Sequence, residues 1–356
     1  MRLLKIRQMK NRILSIMILV FFAAVAFAGN PDRQGEAGAG ELLFNPWAAS
    51  AGLHSLNTSS ISGVEAMRLN VAGMGRGFDK TSLYLSNTRL YVGSELQLNA
   101  FGLVQNISES SSLGVSLVAV DFGDIPITTF DLPEGTGGTF SPGFYHLGVG
   151  YAYTYQNKIA VGVLFRTIVE SLNDVSAFAF AIDAGVSYVA GEKDNFKLGV
   201  SLRNIGTPMS FGGEGLSFIG ENPVGASQYQ LTFNHRASSF ELPSVLNIGI
   251  SYDFYLAPKS YIRTIGNFTS NAFSLDQIGV GAEFTFNKLI TARIAYKYDL
   301  GNELLDDQNI YTGLATGFSV QVPLKKGSNR NISLDYAYRT TNPFRGTHNF
   351  GVRMEI

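Results

Sequence analysis

Four histidines, His54, His146, His235 and His348, and no cysteine are all the imidazole and thiolate ligands this chain has. They fall in four separate segments, so no zinc-type ligand spacing can be read from them. No Gly-x-Ser-x-Gly elbow and no His-Glu-x-x-His occurs, which removes two common hydrolase signatures. Gly73-Met74-Gly75-Arg76-Gly77 lacks the strand–turn–helix setting of a dinucleotide fingerprint, and glycine there serves a tight turn or close packing. The reading is a protein that is not an enzyme, with no catalytic residue, no metal ligand set and no cofactor. The chemistry that remains is electrostatic. Single charges stand at Arg166, Asp183, Arg203, Glu283, Arg293, Asp335 and Arg353, each on the small, polar face of an alternating segment. Glu170, Asp253, Lys297, Arg339 and Glu355 share that face. With both signs present, they suit mutual pairing in a shared interior, or a solute path lined by charge.

The segments that carry these charges set the fold. The 356 residues are 45% hydrophobic and only 15% charged, where a soluble domain carries about 25% charge. Beyond the N-terminus no apolar run reaches the roughly 20 residues of a spanning helix. Instead, segments of period-two alternation recur. In 331–339, Ile332, Leu334, Tyr336 and Tyr338 share one face, and Asn331, Ser333, Asp335, Ala337 and Arg339 the other. Aromatics such as Tyr151, Tyr153, Tyr155, Tyr296 and Tyr298 end the apolar faces, as the girdles of membrane barrels do.

Fourteen such segments are expected, from 82–91 and 94–107 to 347–356, an even number as bacterial barrels require. Connections after even-numbered strands are short, and several after odd-numbered strands are long, the longest at 205–244. The fold class is therefore all-β: a 14-stranded antiparallel transmembrane barrel of the bacterial outer membrane. Short turns would then be periplasmic, long loops extracellular, and both termini periplasmic.

Residues 1–28 read as a cleaved signal peptide: a basic stretch from Arg2 to Arg12, an apolar run from Ile13 to Val25, then Ala26-Phe27-Ala28. Its removal takes five basic residues and no acidic ones, leaving a net acidic chain. That argues against nucleic acid as a partner. Residues 29–81 carry no alternation and are expected to form a hatch in or near the lumen of the barrel, 82–356. Asn70 and Gly73 are the hatch residues singled out. Within 205–244, Phe211, Phe218, Tyr229, Leu231, Phe233 and Phe240 stand among Gly and Ser, a setting suited to partner binding or to a self-packed lid. Residues 228–235 are expected as β-structure inside this loop.

The order of short motifs resembles the PorV/PorQ family of outer-membrane proteins, relatives of the FadL-type channels for hydrophobic compounds. The opening carries Ala39-Gly40-Glu41-Leu42-Leu43, then Ser62-Gly63-Val64-Glu65-Ala66 and Asn70-Val71-Ala72-Gly73-Met74, with Val71 where the family has Pro. Ala181-Ile182-Asp183-Ala184-Gly185, Arg203-Asn204-Ile205-Gly206 and Asp335-Tyr336-Ala337-Tyr338 follow in family order. The resemblance implies an accessory of type IX secretion, whose extracellular loops bind secreted cargo proteins or secretion-system subunits. The alternative is a FadL-like channel for small hydrophobic molecules, gated by the hatch. Outer-membrane lipid surrounds the barrel in either case.

Overall fold

The structure, a computed structural model, describes residues 31–78, 80–221, 229–301, 309–324 and 330–356. The expected signal segment lies outside them. Fourteen strands form one closed antiparallel barrel in which each strand pairs with its neighbours in sequence and the last returns to the first. They are β1 Thr81–Arg89, β2 Gln97–Asn106, β3 Ser111–Asp121, β4 Gly143–Tyr155 and β5 Ile159–Leu172. Next come β6 Val175–Ala190, β7 Phe196–Gly206, β8 Val245–Ala257, β9 Ser260–Asn271 and β10 Gln277–Phe286. The last four are β11 Ile290–Asp299, β12 Tyr311–Pro323, β13 Asn331–Thr341 and β14 Thr347–Glu355. Ser82 faces Glu355 and Arg89 faces His348 across the closing seam.

Alternation sorts the side chains to the two surfaces. On β6, Phe178, Phe180, Ile182, Val186 and Tyr188 are exposed outside, while Ala177, Ala179, Ala181 and Asp183 are buried inside. Exposed apolar side chains cover the outer wall, with aromatics such as Tyr155, Tyr188 and Tyr255 towards one rim and Tyr145, Phe178 and Tyr298 towards the other. Lipid, not water, suits such a wall. Among the described residues no helix is long and apolar enough to cross a membrane. The barrel crosses with strands.

The two rims differ. One carries the long connections 122–142, 207–244 and 300–310; at the other, the described connections, such as 258–259 and 156–158, are short. Two details depart from the sequence expectation. The first hairpin loop spans 90–96 instead of residues 92–93, because Tyr91 (φ 46°) and Gly93 (φ 113°) take the chain out of β geometry. β5 and β6 run on to a tight turn at Asn173–Asp174, at the same rim as the long connections.

Residues 31–80 thread the barrel. At the long-connection rim Gly38 N donates to Glu241 O and Arg33 meets the Glu241 carboxylate at 3.0 Å. At the opposite rim Lys80 N and Thr81 N donate to Ile356 O. The described residues therefore begin at one rim and end at the other, because the N-terminal segment runs the height of the lumen. It packs where β4–β7 present small residues. A Cβ on Gly162 would lie 2.7 Å from Val71 C, and one on Gly185 would lie 2.1 Å from Asn70 Oδ1. Such contacts leave no room for a side chain, so the glycines make the groove the segment occupies.

Candidate functional site

The wall from β8 to β13 carries long polar side chains instead, and there the segment leaves space. Successive inward residues on each strand give the levels. On β11 these are Lys297, Ala295 and Arg293; on β9 they are Thr269, Asn267, Ile265 and Arg263. Lys297 and Thr269 line a cavity of about 350 Å³ towards the long-connection rim. Arg293 and Arg263 line one of about 580 Å³ towards the other. Between the two levels, Ile265 and Ala295 meet Leu53 and Leu56 of the N-terminal segment in a small, fully buried apolar cluster. Leu56 fits a wall position without a side chain: a Cβ on Gly279 would lie 2.4 Å from its Cδ2. Between the two leucines His54 and Ser55 hold φ values of 52° and 62°, a left-handed turn that costs non-glycine residues energy.

The cavity below the cluster is bordered by a charge ladder. Lys197 pairs with Asp253, Asp253 with Arg263 at 2.6 Å, Arg263 with Glu283 at 3.1 Å, and Glu283 with Arg293 at 2.7 Å. Strand register makes this possible: Asp253 faces Arg263, Arg263 faces Glu283 and Glu283 faces Arg293. Arg353 lies 3.8 Å from Asp335, which accepts from Tyr84 Oη at 2.7 Å. Tyr84 stacks on Trp47 at 5.0 Å, and Ala49 N donates to its hydroxyl. Glu65, wholly buried in the segment, accepts from Ser50 N; desolvation raises its carboxyl to about 7, against the pull of Arg353.

A separate group sits on β5–β7. Arg166 bonds Asp183 and Asn204 Oδ1, both at 2.7 Å. Asp183 lies where the β6–β7 register shifts between Ile182 and Ala184, and its Oδ1 accepts from Asn204 N, with Asn204 at φ 59°. The bulge turns a backbone donor onto the carboxylate. Arg203 donates to Arg68 O at 2.8 Å. Asn70 donates to Thr58 O and Val186 O, tying the segment to β6. A Cβ on Gly73 would meet Ile61 O at 2.2 Å.

The nine lumen and hatch residues singled out from sequence thus all lie inside the barrel, in three clusters instead of one site. Arg263, Lys197 and Tyr84 complete two of them and were missed. Arg263 shares its face with Asn267, Thr269 and Asn271, but inward Ile265 interrupts the polar pattern. Glu65 and Arg68 lie in a segment without period, so nothing local marks them.

The six loop residues divide. Phe211 and Phe240 pack partly buried against the core, 5.9 Å apart, with Phe240 against Gly38 of the threading segment. They anchor the loop, so they do not belong to an exposed binding surface. Phe218, Tyr229 and Leu231 are exposed, and Phe233 stacks on Phe218 at 5.5 Å. This second group sits on a hairpin pairing Ser217–Glu221 with Gln230–Asn234. His146 is buried against Phe144, His54 against Tyr311, and His235 stacks on Phe218. Among the described residues no three His, Asp or Glu are grouped to hold a metal ion.

No family model matches the chain. No curated protein matches it either. Solved structures do. The Pseudomonas putida toluene transporter TodX is similar at 13% identity over 87% of this chain and 97% of that one, with a TM-score of 0.52. The fold is FadL-like. The Ralstonia pickettii toluene transporter TbuX is similar at 13% identity, over 88% of this chain and 98% of that one, with a TM-score of 0.51. A Pseudomonas aeruginosa FadL homologue is similar at 11% identity, over 88% and 96%, with a TM-score of 0.50. Likeness at these identities reports architecture, and the residues of a site must be argued from this chain.

Proposed function

We propose that the protein is a channel of the bacterial outer membrane that admits small hydrophobic or amphiphilic molecules, with residues 31–80 as its hatch. The observation that carries this reading is the apolar cluster of Leu53, Leu56, Ile265 and Ala295 between two cavities that both hold charged side chains. Displacing one turn of the N-terminal segment would join them along the β8–β12 wall. The names of the similar structures, toluene transporters and a FadL homologue, support the same solute class. Long connections would face outside and short turns the periplasm, which puts the threading segment's start outside and Ile356 inside.

The chain has no cysteine, which makes a direct test simple. Ser59 Oγ and Ser251 Oγ lie 3.0 Å apart, so Ser59→Cys with Ser251→Cys places two thiols for a disulfide between hatch and wall. Oxidation should abolish flux of a small solute such as toluene into vesicles carrying the protein, and reduction should restore it. Equal flux in the two states would falsify hatch gating.

A second reading keeps the PorV/PorQ resemblance. The exposed hairpin with Phe218, Ile219, Tyr229 and Leu231 favours a loop that docks secreted cargo or secretion-system subunits. Removing residues 213–236 would abolish that role and leave flux intact.

A further inference from the structure

We infer that the cavity at the long-connection rim is a binding site for the carboxylate of a compact organic anion. Four cations line it: Arg68, Arg203, Lys297 and Arg339. Among the described residues none of the four has a carboxylate within 4 Å, whereas Arg166, Arg263, Arg293 and Arg353 all do. The single lining carboxylate, Asp299, is engaged by the Gln277 and Asn309 amides instead. Arg339 is 5% exposed, lies over the Tyr311 ring at 4.7 Å, and leaves Nε and Nη2 without a partner.

Where the strands pair Arg166, Arg263, Arg293 and Arg353 with carboxylates, the lining of this recess carries net positive charge among the described residues. Burying like charges together is unfavourable unless something compensates them. A carboxylate does so by accepting charge-assisted bonds from guanidinium and ammonium. Phe44, Leu69 and Tyr311 add apolar lining for the body of the anion. The volume, about 350 Å³, suits a small ring or short chain. His54 and Ser55, the turn between Leu53 and Leu56, line it on the side of the N-terminal segment. The site names the solute class for the channel proposed above; passage rests on that reading, while binding rests on the recess alone.

Calorimetric titration of the full-length protein in detergent tests it, with benzoate and its neutral counterpart benzamide as probes. Benzoate should bind at least about tenfold more tightly than benzamide, the scale of one charge-assisted bond. Arg339→Gln and Lys297→Gln should each weaken benzoate by about that factor and leave benzamide unchanged, while Arg339→Lys retains most of the affinity. Equal affinity for the two probes, or undiminished benzoate binding in both neutral variants, would overturn the site. Should the variants fail to fold, salt decides on the unmodified protein: benzoate affinity must fall as salt rises and benzamide affinity must not. Flux separates the two proposals. Benzoate bound but not carried removes the channel and keeps the site; both probes carried without preference removes the site and keeps the channel.

Discussion

Two ends of one wall treat charge in opposite ways. Towards the short-turn rim of β7–β11, five charges alternate in sign from Lys197 to Arg293, each within reach of an opposite neighbour. Towards the long-connection rim of the same wall, Arg203 and Lys297 gather with Arg339 of β13 and Arg68 of the N-terminal segment, and among the described residues none of the four has such a partner. The strands, the alternation and the burial are shared, so the difference lies in which residue types occupy successive inward positions. Where the ladder has Asp253 and Glu283, the same strands carry Asn247 and Gln277 at the upper level. Amides replace carboxylates there, and the cations keep an open demand for negative charge. A matched ladder closes a wall; an unmatched recess keeps it available to a solute.

The largest expected effect comes from breaking the ladder. Glu283 accepts from Arg263 and from Arg293 with separate oxygens and is nearly buried. Glu283→Gln removes the negative charge between two guanidiniums and turns one of the two acceptor oxygens into a donor facing an arginine. The loss should be about 3–5 kcal/mol, the usual cost of removing one partner from a buried pair, read by urea unfolding in detergent. A loss below about 1 kcal/mol would mean that the ladder is solvated like a surface pair and that the contrast with the recess is not electrostatic.

How much of this the sequence disclosed follows from how local each cause is. Alternation is a property of neighbouring residues, so the strands and the inward placement of Arg166, Glu283 and Asp335 could be read directly. Partnership depends on strand register: nothing in the segment around Arg263 says that it meets both Asp253 and Glu283. The threading segment is less legible still. Leu53 and Leu56 are ordinary leucines until Gly279 and Ile265, more than two hundred residues away, give them a wall to close against. The loop aromatics were too uniform to separate, since Phe211 and Phe240 differ from Phe218 only in lying opposite Gly38 and its neighbours.

The next effect has the opposite sign. Asn247 Oδ1 accepts from Thr269 Oγ1 at 2.8 Å, while its Nδ2 has no partner. Asn247→Asp keeps the accepting oxygen and replaces an idle donor with negative charge in the cationic recess. Stability should rise, because the added carboxylate offsets the recess cations, and benzoate binding should weaken as the internal carboxylate competes. A destabilised Asn247→Asp protein would show that the recess cations are already compensated.

The smallest effect is the sharpest discriminator. Arg339→Gln removes a buried charge, the same class of change that is costly in the ladder. Here it deletes one member of a like-charge group and loses the stacking over Tyr311. Stacking of this kind contributes about 0.5–1 kcal/mol or somewhat more when desolvated, and relief of repulsion from Lys297 and Arg203 offsets it. The net change in unfolding free energy should therefore stay within about 1 kcal/mol, the range of an uncoupled substitution. A loss of several kcal/mol would identify Arg339 as a structural cation with a hidden partner, and the two ends of the wall would then obey one rule. Near-neutral stability combined with lost benzoate binding leaves ligand binding as the role of that charge.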